Sequence, residues 1–155
     1  MRGLALLLRV AGATTELWDV VEAEKITMVA IVGDAFARPM IEALDRAKAE
    51  GNSWDLSSLR LVLSSGVMFG APLKQRLLEH HRCTIVDTLG SSEGTGMGKQ
   101  ITSRSRRDRG TARFLLGEHT RVFTDDGREV AAGSGERGRL ALGRPAEDEE
   151  TARAI

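Results

Sequence analysis

The hydrophobic residues in the first two-thirds of the chain recur with the period of three amphipathic helices. They are Leu17, Val20 and Val21 in the first helix, Met40, Ile41 and Leu44 in the second, and Leu73, Leu77 and Leu78 in the third. Thr14 or Thr15 can cap the first helix. Pro39 fits the first turn of the second helix and Gly51 fits its end, while Pro72 opens the third helix.

Apolar runs rich in β-branched residues alternate with these helices. They cover residues 26–32, 59–63 and 84–86. Strands that alternate with helices predict a largely parallel sheet, and run 26–32 suits a strand that is covered on both faces. Ligands bind such sheets just beyond the carboxyl ends of the strands. Gly33, Gly66 and Gly90 each follow a predicted strand, which is the first indication of a site.

The last third of the chain has the pattern of a small antiparallel β unit. Short strands are indicated at residues 114–116, 121–123 and 139–142. Asp125, Asp126 and Gly127 give a strong hairpin-turn signal, because Asp-Gly tolerates positive φ. We therefore predict an α/β fold: part of a mostly parallel sheet with flanking helices over residues 1–100, followed by a small antiparallel β unit and a truncated end over residues 101–155.

The composition is that of an average globular protein, with 41% hydrophobic and 28% charged residues. The 22 basic and 22 acidic residues balance, so neither nucleic acid nor an anionic membrane is an expected partner. No apolar stretch approaches the roughly 20 residues that span a bilayer, and the apolar run 4–8 is shorter than most signal-peptide cores. The single cysteine, Cys83, excludes an intrachain disulfide and fits a cytoplasmic protein.

The segment 90–99, rich in glycine and serine, suggests a phosphate-binding loop. A P-loop would need glycine at position 93 and serine or threonine after Lys99, but the chain has Glu93 and Gln100. A dinucleotide fingerprint that begins at Gly94 would need glycine or alanine where Lys99 stands. Two interpretations stay open. The segment is a ligand-binding loop in which Glu93 holds a hard cation such as Mg²⁺, or it is an ordinary strand-to-helix turn.

The other polar clusters favour structural roles. His80 and His81 end a predicted helix, where an imidazolium interacts well with the helix dipole. No second group of His or Cys at metal-ligand spacing accompanies Cys83, so a zinc site is not expected. The arginines within residues 104–109 lack interleaved aromatic residues, and a solvated surface loop is favoured over an RNA-binding one.

Four segments in order resemble the adenylate-forming superfamily, which includes acyl-CoA synthetases, luciferases and peptide-synthetase adenylation domains. Residues 87–93 resemble the motif Asn/Asp-x-Tyr-Gly-x-Thr/Ser-Glu, and residues 54–67 resemble the segment DLSSLR followed by sGGAP. Residues 125–140 resemble the segment dedGrpv followed by GexGel, and residues 17–39 are similar to bacterial fatty-acyl-CoA synthetases in particular. Four motifs in the same order are more specific than any one of them.

The resemblance implies a nucleotide site. Its residues would be Gly66, Val67, Met68, Asp87, Leu89, Gly90, Ser91 and Ser92. The first three would lie against the adenine, Asp87 would accept a hydrogen bond from the adenine amino group, and Leu89 would cover the ring. Ser92 would contact the α-phosphate and Glu93 would bind Mg²⁺, so these two residues are the implied catalytic residues.

The same resemblance implies a two-step ligase reaction. A fatty acid or a related carboxylate reacts with ATP to give acyl-AMP, and coenzyme A then displaces AMP. A cation and preorganised hydrogen-bond donors would neutralise the charge that develops on the α-phosphate. Gly33 and Asp34, which follow a predicted strand, would border the acyl pocket.

The chain departs from the family pattern at several points. Leu89 replaces an aromatic residue, and Val67, Met68 and Phe69 replace a run of small residues. The 155 residues contain neither the lysine-bearing phosphate loop, nor the ribose-binding Tyr-x-Thr-Gly-Asp segment, nor the adenylation lysine. We therefore expect a fragment of a fatty-acid–CoA ligase that is not competent alone, for which a complementary ligase polypeptide would supply the missing segments. The alternatives are a non-catalytic nucleotide-binding, acyl-adenylate-binding or interaction module, and an inert remnant.

Overall fold

The structure, a computed structural model, describes residues 14–91, 94–105, 110–111 and 113–143. These residues form two compact units. The first unit lies within Met1–Thr88 and Gln100–Arg113, and the second lies within Leu89–Lys99 and Phe114–Ile155. The boundary that the sequence indicates at residue 100 stays a prediction, and the apolar run 4–8 lies outside the described residues.

Three parallel strands form the sheet of the first unit. They are β1 (Met28–Ile31), β2 (Leu61–Ser64) and β3 (Thr84–Ser91). Met28 pairs with Leu61, and Leu61 pairs in turn with Thr84. Val29 and Val62 are almost completely buried, as expected for strands whose apolar residues form a core. The predicted parallel arrangement is confirmed for these three strands.

Three helices complete the first unit. They are α1 (Thr14–Ala23), α2 (Gly33–Ala49) and α3 (Ala71–His80), and α2 packs against both α1 and α3. The indole Nε1 of the fully buried Trp18 donates a hydrogen bond to the carbonyl oxygen of Met40 at 2.9 Å. The indole Nε1 of Trp54 donates to Asp19 Oδ1 at 2.7 Å. Within the described ranges, no helix is both long and apolar enough to cross a membrane.

The apolar residues that the helical period selects lie in the core of this unit, with the exception of Val20, which is partly buried against it. The buried ones are Leu17, Val21, Met40, Ile41, Leu44, Leu73, Leu77 and Leu78. Because each helix turns one apolar face toward the sheet or a neighbouring helix, spacing alone was enough to identify these residues.

Pro39 lies inside α2, so the prediction that it marks the first turn of this helix is wrong. An interior proline removes one backbone hydrogen bond and normally costs about 3 kcal/mol. The helix nevertheless begins at Gly33, because the Asp34 amide donates to the carbonyl oxygen of Met68 at 2.9 Å and this contact fixes the first turn. The predicted end of α2 at Gly51 is close to the observed end at Ala49. Gly51 follows the helix with φ of +76°.

The glycine-rich segment forms strands in its described part. β3 continues through Gly90, and β4 (Gly94–Thr102) follows it. β4 pairs antiparallel with β5 (Leu115–Leu116), and the sheet has the order β1-β2-β3-β4-β5. The prediction that Gly90 follows a strand end is therefore wrong. Pairing with neighbouring strands extends the backbone where the glycine content alone predicts a turn.

The second unit contains an antiparallel hairpin, as the sequence predicts. β6 (Thr120–Phe123) pairs antiparallel with β7 (Arg139–Leu142). The turn that begins with Asp125 and Asp126 is confirmed, because Gly127 has φ of +86° and the strand residue Phe123 pairs with Glu129 across the turn.

Asp45 of α2 links this helix to α3. Its carboxylate forms an ion pair with Arg76 and accepts a hydrogen bond from His80, whose Nε2 lies 2.6 Å from Asp45 Oδ1. His80 therefore binds a neighbouring helix. Desolvation acts to raise the pKa of Asp45, but the hydrogen bonds from Arg76 and His80 outweigh it, and the pKa lies below its usual value.

The lowered pKa of Asp45 predicts a pH-dependent contribution to stability. A depressed carboxylate pKa stabilises the folded state above the usual value of 3.8, and this contribution is lost as the pH falls through the folded pKa. In urea unfolding at neutral pH, Asp45→Asn should be less stable than wild type by under about 1 kcal/mol, because the pair is partly exposed. The difference should shrink steadily below pH about 4. A difference that is independent of pH would contradict the assignment.

Candidate functional site

The carboxyl end of β2 leads into a loop in which two apolar side chains are exposed and one, Phe69, is fully buried. Residues 66–70, called loop 66–70 below, connect β2 to α3. Val67 is 52% exposed and Met68 is 57% exposed. Gly66 has φ of +85°, a left-handed conformation that glycine adopts without strain. This apolar surface lies at the position where parallel sheets bind ligands.

Two residues at the start of α2 hold loop 66–70 in place. The carboxylate Oδ1 of Asp34 accepts a hydrogen bond from the Gly70 amide at 2.7 Å, in addition to the bond that the Asp34 amide donates to the Met68 carbonyl. Gly33 is buried with φ of +49°, and a Cβ atom there would lie 2.5 Å from the carbonyl oxygens of both Val67 and Met68. Gly33 and Asp34 thus position the loop. Their predicted place at the border of an acyl pocket stays a prediction.

Asp87 is one half of a buried ion pair. It lies on β3 in register with Ser64, the last residue of β2. Its Oδ2 atom lies 3.2 Å from Nζ of Lys74 on α3, and the two side chains are 3% and 0% exposed. Lys74 Nζ also donates a hydrogen bond to Gln100 Oε1 at 2.7 Å. A carboxylate is tolerated in such a place because an opposite charge and hydrogen bonds compensate its desolvation.

Neither Lys74 nor Gln100 was predicted as a site residue. The sequence does contain a signal for Lys74. This residue precedes Leu77 and Leu78 by three and four positions, so it lies on the apolar face of α3. A lysine on an apolar helix face requires a buried partner. Gln100, whose Nε2 donates to the Gly110 carbonyl at 2.9 Å, has no comparable signal.

The end of β2 also carries a hydroxyl with unused hydrogen-bonding capacity. Ser64 is fully buried, and its Oγ atom has no hydrogen-bond partner among the described residues. Thr88 Oγ1 donates to the Ser64 carbonyl oxygen at 3.1 Å, which ties β3 to the same strand end. Buried hydroxyls without a partner are uncommon. This one lies at the end of β2, shortly before loop 66–70 begins.

The remaining predicted nucleotide residues are not part of the first unit. Leu89 is half-buried and Gly90 is exposed in the second unit. Of Ser91 only the backbone is described, and Ser92 and Glu93 lie outside the described residues. Among the residues that are described, no group of three or more His, Cys, Asp or Glu could hold a metal ion. Binding of Mg²⁺ by Glu93 therefore stays a prediction.

Sequence relatives identify the family. Residues 1–146 match the model of the family described as AMP-binding enzyme. A medium/long-chain-fatty-acid–CoA/3-oxocholest-4-en-26-oate–CoA ligase of Mycolicibacterium smegmatis is 38% identical over 127 residues, which are 81% of this chain and 23% of the ligase. The 3-oxocholest-4-en-26-oate–CoA ligase of Rhodococcus rhodochrous is 34% identical over 128 residues, with the same two coverages of 81% and 23%. The chain thus spans less than a quarter of the length of these curated relatives.

Solved structures agree on the fold. IdnL1 superposes with a TM-score of 0.64 at 21% identity, covering 90% of this chain and 30% of IdnL1. The anthranilate–CoA ligase AuaEII, solved with anthranoyl-AMP, gives a TM-score of 0.60 at 22% identity, covering 83% of this chain and 23% of AuaEII. The α/β architecture that the sequence predicts is that of these two proteins. Since the family model matches nearly the whole chain, the chain belongs to the AMP-binding enzyme family.

Proposed function

We propose that the chain provides the base-binding side of the nucleotide site in a fatty-acid–CoA ligase. Its relatives at 38% and 34% identity are acyl-CoA ligases. The observation that carries the proposal is loop 66–70, which Gly33 and Asp34 hold at the carboxyl end of β2 with apolar side chains open to solvent. Such a surface fits the face of an aromatic base.

Adenine has two apolar faces and a polar edge, and the site offers partners for a face and for the edge. Val67 and Met68 present apolar surface to one face, while Asp87 accepts a hydrogen bond from the amino group at the edge.

The reaction that we propose for the whole ligase has two steps. A carboxylate oxygen of the fatty acid attacks the α-phosphorus of ATP and pyrophosphate leaves, and then the sulfur of coenzyme A attacks the acyl carbon and AMP leaves. Ser92 would contact the α-phosphate, and Mg²⁺ held by Glu93 would stabilise negative charge there. In this reaction loop 66–70 would fix the base, and a fixed base would hold the α-phosphate in position for attack. ATP and coenzyme A place this reaction in the cytoplasm, where the buried Cys83 stays reduced.

Exposed leucines of the second unit fit an interface with the remainder of such a ligase. Leu115 is 58%, Leu116 47%, Leu140 41% and Leu142 39% exposed. Leu140 and Leu142 lie two positions apart on β7 and so share one face of that strand, and exposed apolar patches commonly mark an interaction site. We propose that the remaining ligase segments, in the same or in a complementary polypeptide, cover these side chains.

The proposal predicts that the 155-residue chain binds AMP but does not turn over fatty acid, ATP and coenzyme A. Calorimetric titration with AMP should give saturable binding, and Met68→Asp should weaken it at least about tenfold, because an aspartate there replaces apolar surface and repels the phosphate. Leu142→Asp, a matched change in the second unit, should leave the affinity unchanged.

Two outcomes would refute parts of this proposal. A wild-type chain that binds no AMP at millimolar concentration would refute the base site, and robust AMP release in a coupled assay would refute the lack of turnover. A non-catalytic binding module would also bind without turnover. Addition of the remaining segments of a relative distinguishes the two, because only a ligase fragment gains turnover.

A further inference from the structure

The ion pair between Lys74 and Asp87 restricts the hydrogen-bonding character of position 87. Lys74 Nζ lies 3.2 Å from Asp87 Oδ2 and 2.7 Å from Gln100 Oε1, and it lies 5.6 Å from the centroid of the Phe69 ring. The Lys74 side chain is completely buried, so the ammonium group cannot turn to solvent. An ammonium group only donates hydrogen bonds. The side of residue 87 that faces Lys74 must therefore be an acceptor.

This restriction distinguishes aspartate from asparagine, although the family motif accepts either residue at this position. Both oxygens of Asp87 are acceptors, so its second oxygen remains an acceptor when the first faces Lys74. An asparagine at position 87 would turn its carbonyl oxygen to Lys74 and would present its amide NH₂, a donor, on the other side. The lysine thus determines which partner the other side of residue 87 can bind.

The position of Asp87 gives this restriction a functional meaning. Asp87 is in register with Ser64, from which the chain continues into loop 66–70 with its exposed Val67 and Met68. Asp87 itself is only 2% exposed. An acceptor that is so strongly desolvated discriminates sharply between partners, because facing a second acceptor leaves it without any hydrogen bond.

We propose that Lys74 is a positioning residue that makes the site select a purine with a 6-amino group over one with a 6-oxo group. It does so by holding Asp87 so that only an acceptor faces the base. The assignment rests on the proposed function, because it requires that the base lies against loop 66–70. Lys74 itself does not touch the nucleotide.

The test compares AMP with inosine monophosphate, whose base carries an oxygen in place of the 6-amino group. Calorimetry with the wild-type chain should show tighter binding of AMP by about tenfold or more. In Asp87→Asn the ratio of the two affinities should fall by at least about tenfold, because Lys74 orients the new amide with its NH₂ group toward the base. In the double variant Lys74→Met/Asp87→Asn the amide can rotate to suit either base, so the ratio should rise from its Asp87→Asn value towards one.

The double variant is the decisive one. It carries no buried charge at either position, so it should fold even where a single variant does not. Lys25→Met, which removes a lysine from the exposed pair with Asp55, is the matched control and should keep the wild-type ratio.

Each result has a separate meaning. A ratio that favours inosine monophosphate in Asp87→Asn and moves towards one in the double variant supports the role of Lys74. Equal ratios in Asp87→Asn and in the double variant would overturn that role and leave the proposed function standing. Absence of binding of either nucleotide by the wild-type chain would overturn both.

Discussion

Gly33→Ala is expected to lower the free energy of unfolding by about 3 kcal/mol or more. Two effects add at this position. The backbone has φ of +49°, which strains any residue with a Cβ atom, and that atom would lie 2.5 Å from the carbonyl oxygens of Val67 and Met68. These oxygens belong to the backbone and cannot move without displacing loop 66–70. Urea unfolding followed by far-ultraviolet circular dichroism measures the loss, and calorimetry should show weaker AMP binding in parallel.

Gly51→Ala provides the matched control for the strain alone. Gly51 has φ of +76°, but nothing lies within 4 Å of its Cβ position. The cost there should be about 1 kcal/mol, and AMP binding should not change. If the two alanine variants were equally stable, the close approach between Gly33 and loop 66–70 would be wrong.

Lys74→Met is expected to destabilise the first unit by about 3 to 5 kcal/mol. The change keeps most of the side-chain volume but leaves the Asp87 carboxylate, which is 3% exposed, without its charged partner. An uncompensated buried charge is among the costliest defects that a single substitution produces. Urea unfolding of Lys74→Met, of Asp87→Asn and of the double variant gives the coupling between the two residues.

The double variant should recover most of the stability that Lys74→Met loses, because it removes both charges together. Lys25→Met tests whether the loss of any lysine lowers the free energy of unfolding. Lys25 and Asp55 are 58% and 50% exposed, and water replaces their interaction, so this variant should unfold at nearly the wild-type urea concentration. Additive effects of Lys74→Met and Asp87→Asn would show that the two side chains do not interact.

Local periodicity was sufficient to predict the helices and the parallel strands of the first unit. Leu73, Leu77 and Leu78 recur at helical spacing because α3 turns one face to the core, and this relation needs no knowledge of the rest of the chain. The run 26–32 contains β1, in which Val29 and Ile31 are buried and Met28 and Ala30 are half-buried, so the expected full cover on both faces is not observed.

Features that depend on contacts between distant segments could not be predicted from local periodicity. β4 is rich in glycine, which has a low strand propensity, and its pairing with β5 joins residues that lie far apart in the chain. The start of α2 at Gly33 depends on the bond from Asp34 to Met68, a residue more than thirty positions away.

The motif singles out Asp87 and loop 66–70, but their roles in a site stay predictions. Asp87 lies within β3, and its register with Ser64 at the end of β2 brings it level with the start of the loop. The partners that hold these residues, Lys74 for Asp87 and Asp34 for Gly70, come from helices and are not part of the motif.

The burial of Trp18 and the hydrogen bond of Trp54 to Asp19 have a spectroscopic consequence. These are the chain's 2 tryptophans, the chain has no tyrosine, and both indoles lie in the first unit. Intrinsic tryptophan fluorescence therefore reports on the first unit alone, whereas far-ultraviolet circular dichroism sums over both units. Unfolding curves that coincide for the two signals indicate one cooperative transition. A fluorescence transition at a different urea concentration indicates that the first unit unfolds independently of the β hairpin.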